Sequence, residues 1–271
     1  MYAGQVTNNW FNFAGYYWRI IRINGDKSVR MIYNGTSTSQ TGSGTQIQTN
    51  VFNGSYNDNA YVGYMYGTTE ANSYSATHTN INNSAIKVAL DTWYQNNILN
   101  KKDSNEISYD EYVSKEQGFC NDRRIATSSE TWWIIDTKTG YGTNATAYAP
   151  LSRVLTADNS WYSVQKPILK CGQQNDYFTV SGKGNNDLIY PVGLITSDEV
   201  VLSGGWLYTG ENYWTMSPYA ATDATMFSVY SNGSLSYNRV NLAYGVRPVI
   251  NLKADVSLTG TGTASDPYVV V

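Results

Sequence analysis

Charge is scarce in this chain: Asp, Glu, Lys and Arg make up 14% of its 271 residues, with a net charge of −3. Without a basic field there is nothing to hold a phosphate backbone, so nucleic acid is excluded as a partner. Histidine occurs once, as His78, and cysteine twice, as Cys120 and Cys171. That excludes a His-rich metal centre and a zinc site of the paired CxxC type, and no metal or cofactor is expected. No run approaches the roughly 18 apolar residues of a membrane span. The opening Met1-Tyr2-Ala3-Gly4 lacks the apolar stretch of a signal peptide.

Phenylalanine is also sparse, at 6 residues, yet there are 24 Tyr and 8 Trp. Many large side chains therefore carry a polar end that must reach water or a partner. Abundant Asn, Thr, Ser, Gly and Tyr with few charges is the composition of exported bacterial surface proteins. It implies an extracellular, cell-surface location, with any membrane attachment made through an anchor outside this chain. In that setting Cys120 and Cys171 would form a disulfide closing a loop of roughly 50 residues, a gain of about 4 kcal/mol on the chain-entropy estimate. In a reducing compartment they would be two buried thiols, and the sequence leaves both readings open.

Two β-prone runs, residues 16–23 and 29–33, flank Asn24-Gly25 and predict a hairpin. Residues 34–61 are Thr, Ser, Gly, Gln and Asn with few apolar positions and read as a long exposed loop, either mobile or packed by its own Val51, Phe52 and Tyr56. Ser84 caps a helix whose apolar positions Ile86, Ala89, Leu90, Trp93, Tyr94 and Ile98 recur at spacings of three and four. Leu169-Lys170-Cys171 and residues 177–180 read as short strands. Thr196 and Glu199 form a capping box that opens a second helix, ended by Gly204-Gly205. Residues 213–216, 224–230 and 246–252 read as strands of a compact sheet, with a hairpin turn at Asn232-Gly233. No linker or repeat interrupts the chain, so residues 1–271 are expected to form one domain, with 255–271 as a C-terminal extension.

Between Pro218 and Gly245 the composition approaches that of antibody binding loops. Tyr219, Asp223, Tyr230, Asn232, Ser236, Tyr237, Asn238, Asn241 and Tyr244 are the expected ligand-binding residues, with Trp206 at the rim as an aromatic anchor. Trp214 and Arg247 read as the frame that holds them, Arg247 as a partly buried guanidinium satisfying carbonyls or a carboxylate.

Seven blocks make a resemblance specific: FAGYYWRIIRINGD at 13–26, SAIKVALDTWY at 84–94, FCNDR at 119–123, LKC at 169–171, YPVGLITSDEV at 190–200, YWTMSP at 213–218 and GVRPVINL at 245–252. They resemble, in this order and over nearly the whole chain, a family of Gram-positive bacterial surface proteins. The ending also resembles the formylglycine-generating-enzyme branch of the C-type lectin-like fold. That branch includes the variable proteins of diversity-generating retroelements, whose changeable residues occupy a C-terminal segment like 219–244. The resemblance implies an α+β C-type lectin-like fold with two main helices, small antiparallel sheets and long irregular insertions.

Catalysis has little to stand on. The enzyme branch implies a cysteine pair late in the fold, and no cysteine follows Cys171. His78 in a polar loop is a candidate general base, but a surface or capping role accounts for it better. Asp198-Glu199 is accounted for by helix capping, and Asp122-Arg123 by an internal ion pair. The expected function is therefore non-enzymatic: a surface-displayed protein that binds a protein or glycan through its C-terminal face. The alternative is a structural or adhesive wall protein without a specialised site.

Overall fold

The computed structural model describes residues 6–127, 139–154, 166–204, 207–221 and 223–271. Strands dominate it, and most of them belong to two six-stranded sheets, one of which curls into a half-barrel. The first sheet runs Val249–Leu252, Val29–Tyr33, Tyr16–Ile23, Trp10–Phe13, Tyr268–Val270 and Leu258–Thr259. The second runs Leu235–Arg239, Ala224–Val229, Tyr213–Ala221, Ala243–Val246 and Gln48–Val51, with Thr146–Ala147 paired beside Tyr213–Ala221.

This corrects the expected fold class. An α+β C-type lectin-like fold needs two main helices, whereas the described residues hold four short α-helices, Tyr74–Thr77, Ala85–Tyr94, Ala149–Val154 and Ser197–Leu202. Only Ala85–Tyr94 reaches ten residues. The physical reason lies in the periodicity. A single window sustains a 3.6-residue apolar repeat, and its helix begins where the Ser84 hydroxyl accepts from the Lys87 amide. The capping box at Thr196 and Glu199 forms as expected, but Gly204, at φ +73°, closes that helix after six residues. Elsewhere aromatic and β-branched runs satisfy their backbones in sheets.

The first hairpin forms over Tyr16–Ile23 and Val29–Tyr33, as its alternation predicts. Its turn is not the two-residue Asn-Gly type. Ser28 donates no amide across it; instead the Asn24 amide donates to Ser28 O, and Lys27 takes the left-handed conformation at φ +71°. A bulge between Ile20 and Arg22 then places Arg22 directly opposite Arg30. Like charges in that register repel. Glu199 resolves the conflict by pairing with both, at 3.4 Å to Arg22 and 2.6 Å to Arg30.

The chain end is sheet structure: Tyr268–Val270 lies parallel to Trp10–Phe13, so the expected extension closes the first sheet. Residues 34–61 likewise contribute more than a loop. Gln48–Val51 pairs antiparallel with Ala243–Val246, and Phe52 is fully buried. Trp18, Trp214, Tyr64, Tyr94, Tyr148 and Tyr213 are fully buried too, and their polar atoms find backbone or side-chain partners. Trp18 donates to Phe13 O, Trp214 to Asn50 O, Tyr64 to Val192 O and Tyr94 to Asp110.

Cys120 and Cys171 are bridged. Leu169-Lys170-Cys171 forms no strand; the bridge tethers it instead to the two-stranded pairing of Phe119–Cys120 with Tyr177–Phe178. Beneath it, Arg123 pairs with Asp176, both fully buried. Burial works to raise the Asp176 carboxyl, but Arg123 outweighs it and holds the group below the usual carboxylate range.

Candidate functional site

Alternation along a strand sends neighbouring side chains to opposite faces, and this divides the expected binding residues. Leu235–Arg239 pairs with Ala224–Val229, setting Ser236 opposite Ser228 and Tyr237 opposite Phe227. On one face Tyr244 packs edge-on against Trp214, with ring centroids 5.0 Å apart. The Tyr244 hydroxyl donates to Asn238 Oδ1 at 2.8 Å, and Asn238 Nδ2 donates to Ser228 Oγ at 2.8 Å. This chain of hydrogen bonds roofs the buried Trp214. Ser236 is half-buried beside it.

On the other face Tyr237, 43% exposed, lies flat on Tyr219, with centroids 4.0 Å apart and planes within 7°. Tyr219 is only 5% exposed and packs edge-on against Phe227, so burial, with Tyr237 beside it, pushes its hydroxyl well up. Asp223 pairs with Arg239 at 2.6 Å, and Arg239 in turn lies 4.6 Å over the Tyr56 ring. Asn241 is half-buried and its Oδ1 accepts no hydrogen bond.

Tyr230 and Asn232 stand at the hairpin tip, with Tyr230 close enough to Tyr244 to act on its hydroxyl. Asn232 Oδ1 accepts from the amide and hydroxyl of Ser234, and Gly233 adopts φ +90°, so the turn chemistry read from Asn-Gly is what forms. Ser231 and Asn232 reach one wall of a groove of about 810 Å³ that runs between the tip and the first sheet. Trp10, Arg19, Asn34, Gln40 and Tyr208 supply the rest of its recognisable chemistry. Trp206 and its rim role lie outside the described residues.

The groove is built rather than incidental. Arg19 lies 4.3 Å over the Trp10 ring and donates from Nε to Asn9 Oδ1 at 2.7 Å. Burial, then the charge of Arg247, lowers the Arg19 guanidinium to about 10. Arg247 stands behind the wall, fully enclosed, donating to Tyr33 O, Leu207 O and Asn34 Oδ1. It is the structural guanidinium its sequence context suggested, and it orients the Asn34 amide at the groove. Tyr208, at 50% exposure, offers an open ring. Arg19 is the one charged residue in the described lining; the remainder is hydroxyl, amide, aromatic and backbone.

His78 takes the capping role rather than a surface one: it stands at the C-cap of Tyr74–Thr77, its amide donating to Ser75 O. It is buried, stacked on Tyr74 at 3.8 Å, with Nδ1 2.7 Å from Tyr74 O. Burial, followed by the charge of Arg123, pushes it down to about 3, so the ring is neutral near pH 7. Asp198 and Glu199 do more than cap their helix: Asp198 holds Arg153 at 2.9 Å, and Glu199 holds Arg30. Asp122 and Arg123 are ion-paired, though to Arg153 and Asp176 rather than to each other.

Sequence reasoning found one wall of the groove, at Asn232, and missed the other. Nothing local in the sequence joins Trp10 or Arg19 to residue 232. The strand order of the two sheets does.

A family model described as "Domain of unknown function (DUF6273)" matches residues 154–254, a stretch that contains Tyr208, the hairpin tip and Arg247 but not Trp10, Arg19 or Asn34. No curated protein and no solved structure matches the chain.

Proposed function

We propose that this chain is a non-catalytic, glycan-binding protein of a bacterial surface, and that the groove between the hairpin tip and the first sheet is its binding site. The observation that carries this reading is the lining: an exposed Tyr208 ring beside amide and hydroxyl groups from Asn34, Gln40, Thr41, Ser231 and Asn232. Sugars present apolar C–H faces that lie on aromatic rings and hydroxyls that both donate and accept. The lining answers both demands. Arg19 adds preference for glycans that carry a carboxylate or other anion. The volume lies within the range typical of small-ligand sites.

Export is supported by the Cys120–Cys171 bridge, a bond that persists in oxidising compartments. The flat Tyr219–Tyr237 pair and the Tyr244 roof are then flanking surfaces, with most of their polar groups satisfied internally. Diversification by a retroelement belongs to the proposal only at the tip; deep sequencing of the locus should show substitutions concentrated at Ser231 and Asn232, and uniform drift counts against it.

The binding reading is tested on a glycan array probed with the labelled chain. Discrete saccharide spots are expected, reduced at least about tenfold, or about 1.4 kcal/mol, by Asn232→Ala. An array without signal, or one indifferent to Asn232→Ala, overturns it.

A further inference from the structure

A second cavity, of about 420 Å³, lies on the far side of the Tyr16–Ile23 and Val29–Tyr33 hairpin turn, walled by that turn, the bridged Cys120–Cys171 region and the start of helix Ser197–Leu202. Its charges are unevenly distributed. At one end Arg22 and Arg30 share a single carboxylate, Glu199, which also accepts from the Thr196 amide at 3.0 Å. Two guanidiniums against one carboxylate leave an excess positive charge, and the buried Arg22 Nε has no hydrogen-bond partner. At the other end one guanidinium, Arg153, lies between two carboxylates, 2.7 Å from Asp122 and 2.9 Å from Asp198. Within the lining that leaves an excess negative charge, which Arg124, acting on Asp122 from outside the lining, offsets in part. Asp122 is 2% exposed; Arg153 meets its Oδ2, and its Oδ1 accepts no hydrogen bond.

Uncompensated buried charge costs several kcal/mol unless something meets it. Here a positive and a negative excess line the same cavity. Its rim is apolar: Ile23, Ile168 and Leu169 are 48%, 37% and 47% exposed. Exposed Lys170 and Lys183 complete the outer edge. Because Cys171 is bridged to Cys120, the Leu169 wall is held in place.

We propose that this cavity binds a small zwitterion with an aliphatic side chain, of the α-amino acid class. The ligand carboxylate would meet Arg22, its ammonium would meet Asp122, and its side chain would lie against Ile23, Ile168 and Leu169. The site is separate from the groove and does not depend on the glycan reading.

The test is isothermal titration of the whole chain with L-leucine, 4-methylpentanoate, which lacks the ammonium, and 3-methylbutylamine, which lacks the carboxylate. Leucine should give saturable binding, and each truncated probe should bind at least about tenfold more weakly. Arg22→Gln, at a half-buried position, should weaken leucine about tenfold and leave 3-methylbutylamine unchanged. Asp122→Asn should weaken leucine and 3-methylbutylamine alike. If that variant fails to fold, Arg22→Gln decides alone. No saturable leucine binding, equal affinity for all three probes, or an Arg22→Gln protein that binds leucine like the wild type overturns the proposal.

Discussion

Removing the disulfide is the perturbation whose size follows most directly from the structure. Cys120 and Cys171 are 51 residues apart. Closing a loop of that length lowers the entropy of the unfolded chain, a stabilisation of about 4 kcal/mol at 25 °C. On the Cys120 side the element is already fixed, since Phe119–Cys120 pairs with Tyr177–Phe178 and Arg123 pairs with Asp176 just beyond; on the Cys171 side the bridge itself holds the segment. Serine at both positions should therefore cost about 4 kcal/mol, which is a large share of the 5–15 kcal/mol typical of a domain. Guanidinium unfolding followed by Trp fluorescence measures the difference between the oxidised wild type and the double variant. Coincident midpoints, or two free thiols on titration of the unreduced, denatured wild type, would refute the estimate.

His78 gives a pH signature. Its folded pKa is depressed, so its contribution is present above the unfolded value of 6.5 and is lost as pH falls toward about 3. Across that window stability should drop by up to about 1.4 kcal/mol per pH unit, and His78→Gln should flatten the slope in thermal melts; parallel slopes would refute it. Asp176, held low by Arg123 against the effect of burial, should steepen the loss at the acid end. The two stacked tyrosines should differ sharply in chemical denaturation: Tyr219→Ala should cost about 3–4 kcal/mol as a core truncation, Tyr237→Ala about 1 kcal/mol. Equal costs would show that the pair is not layered as described. The exposed Asp223–Arg239 pair should matter little, with Asp223→Asn changing stability by less than about 0.5 kcal/mol; a larger loss in the same assay contradicts its placement at the surface.

Local chemistry was legible in the sequence where the signal was local. Ser84, Thr196 with Glu199, the strands around residue 24 and the Asn232-Gly233 turn all depend on neighbours within a few positions, and each formed. Two capped starts predict two main helices, but only the first carries an apolar repeat long enough to extend to ten residues. Leu169-Lys170-Cys171 has strand composition but no partner strand; the bridge at Cys171 determines its path. The parallel pairing of Tyr268–Val270 with Trp10–Phe13 joins the two chain ends, and no spacing rule reports a contact of that range. The same limit hid the groove. Composition sets residues 219–244 apart, but strand alternation spreads them over two faces and a tip, and the groove's second wall comes from residues 10–40.

Under the proposed function, ligand recognition belongs to the groove and not to the tyrosine-covered sheet faces. Titration calorimetry with a saccharide selected on the array tests it most directly, comparing wild type, Tyr208→Ala and Tyr237→Ala. Tyr208→Ala should lose at least about tenfold in affinity while Tyr237→Ala binds like the wild type. Loss of binding in Tyr237→Ala with Tyr208→Ala unaffected would contradict it.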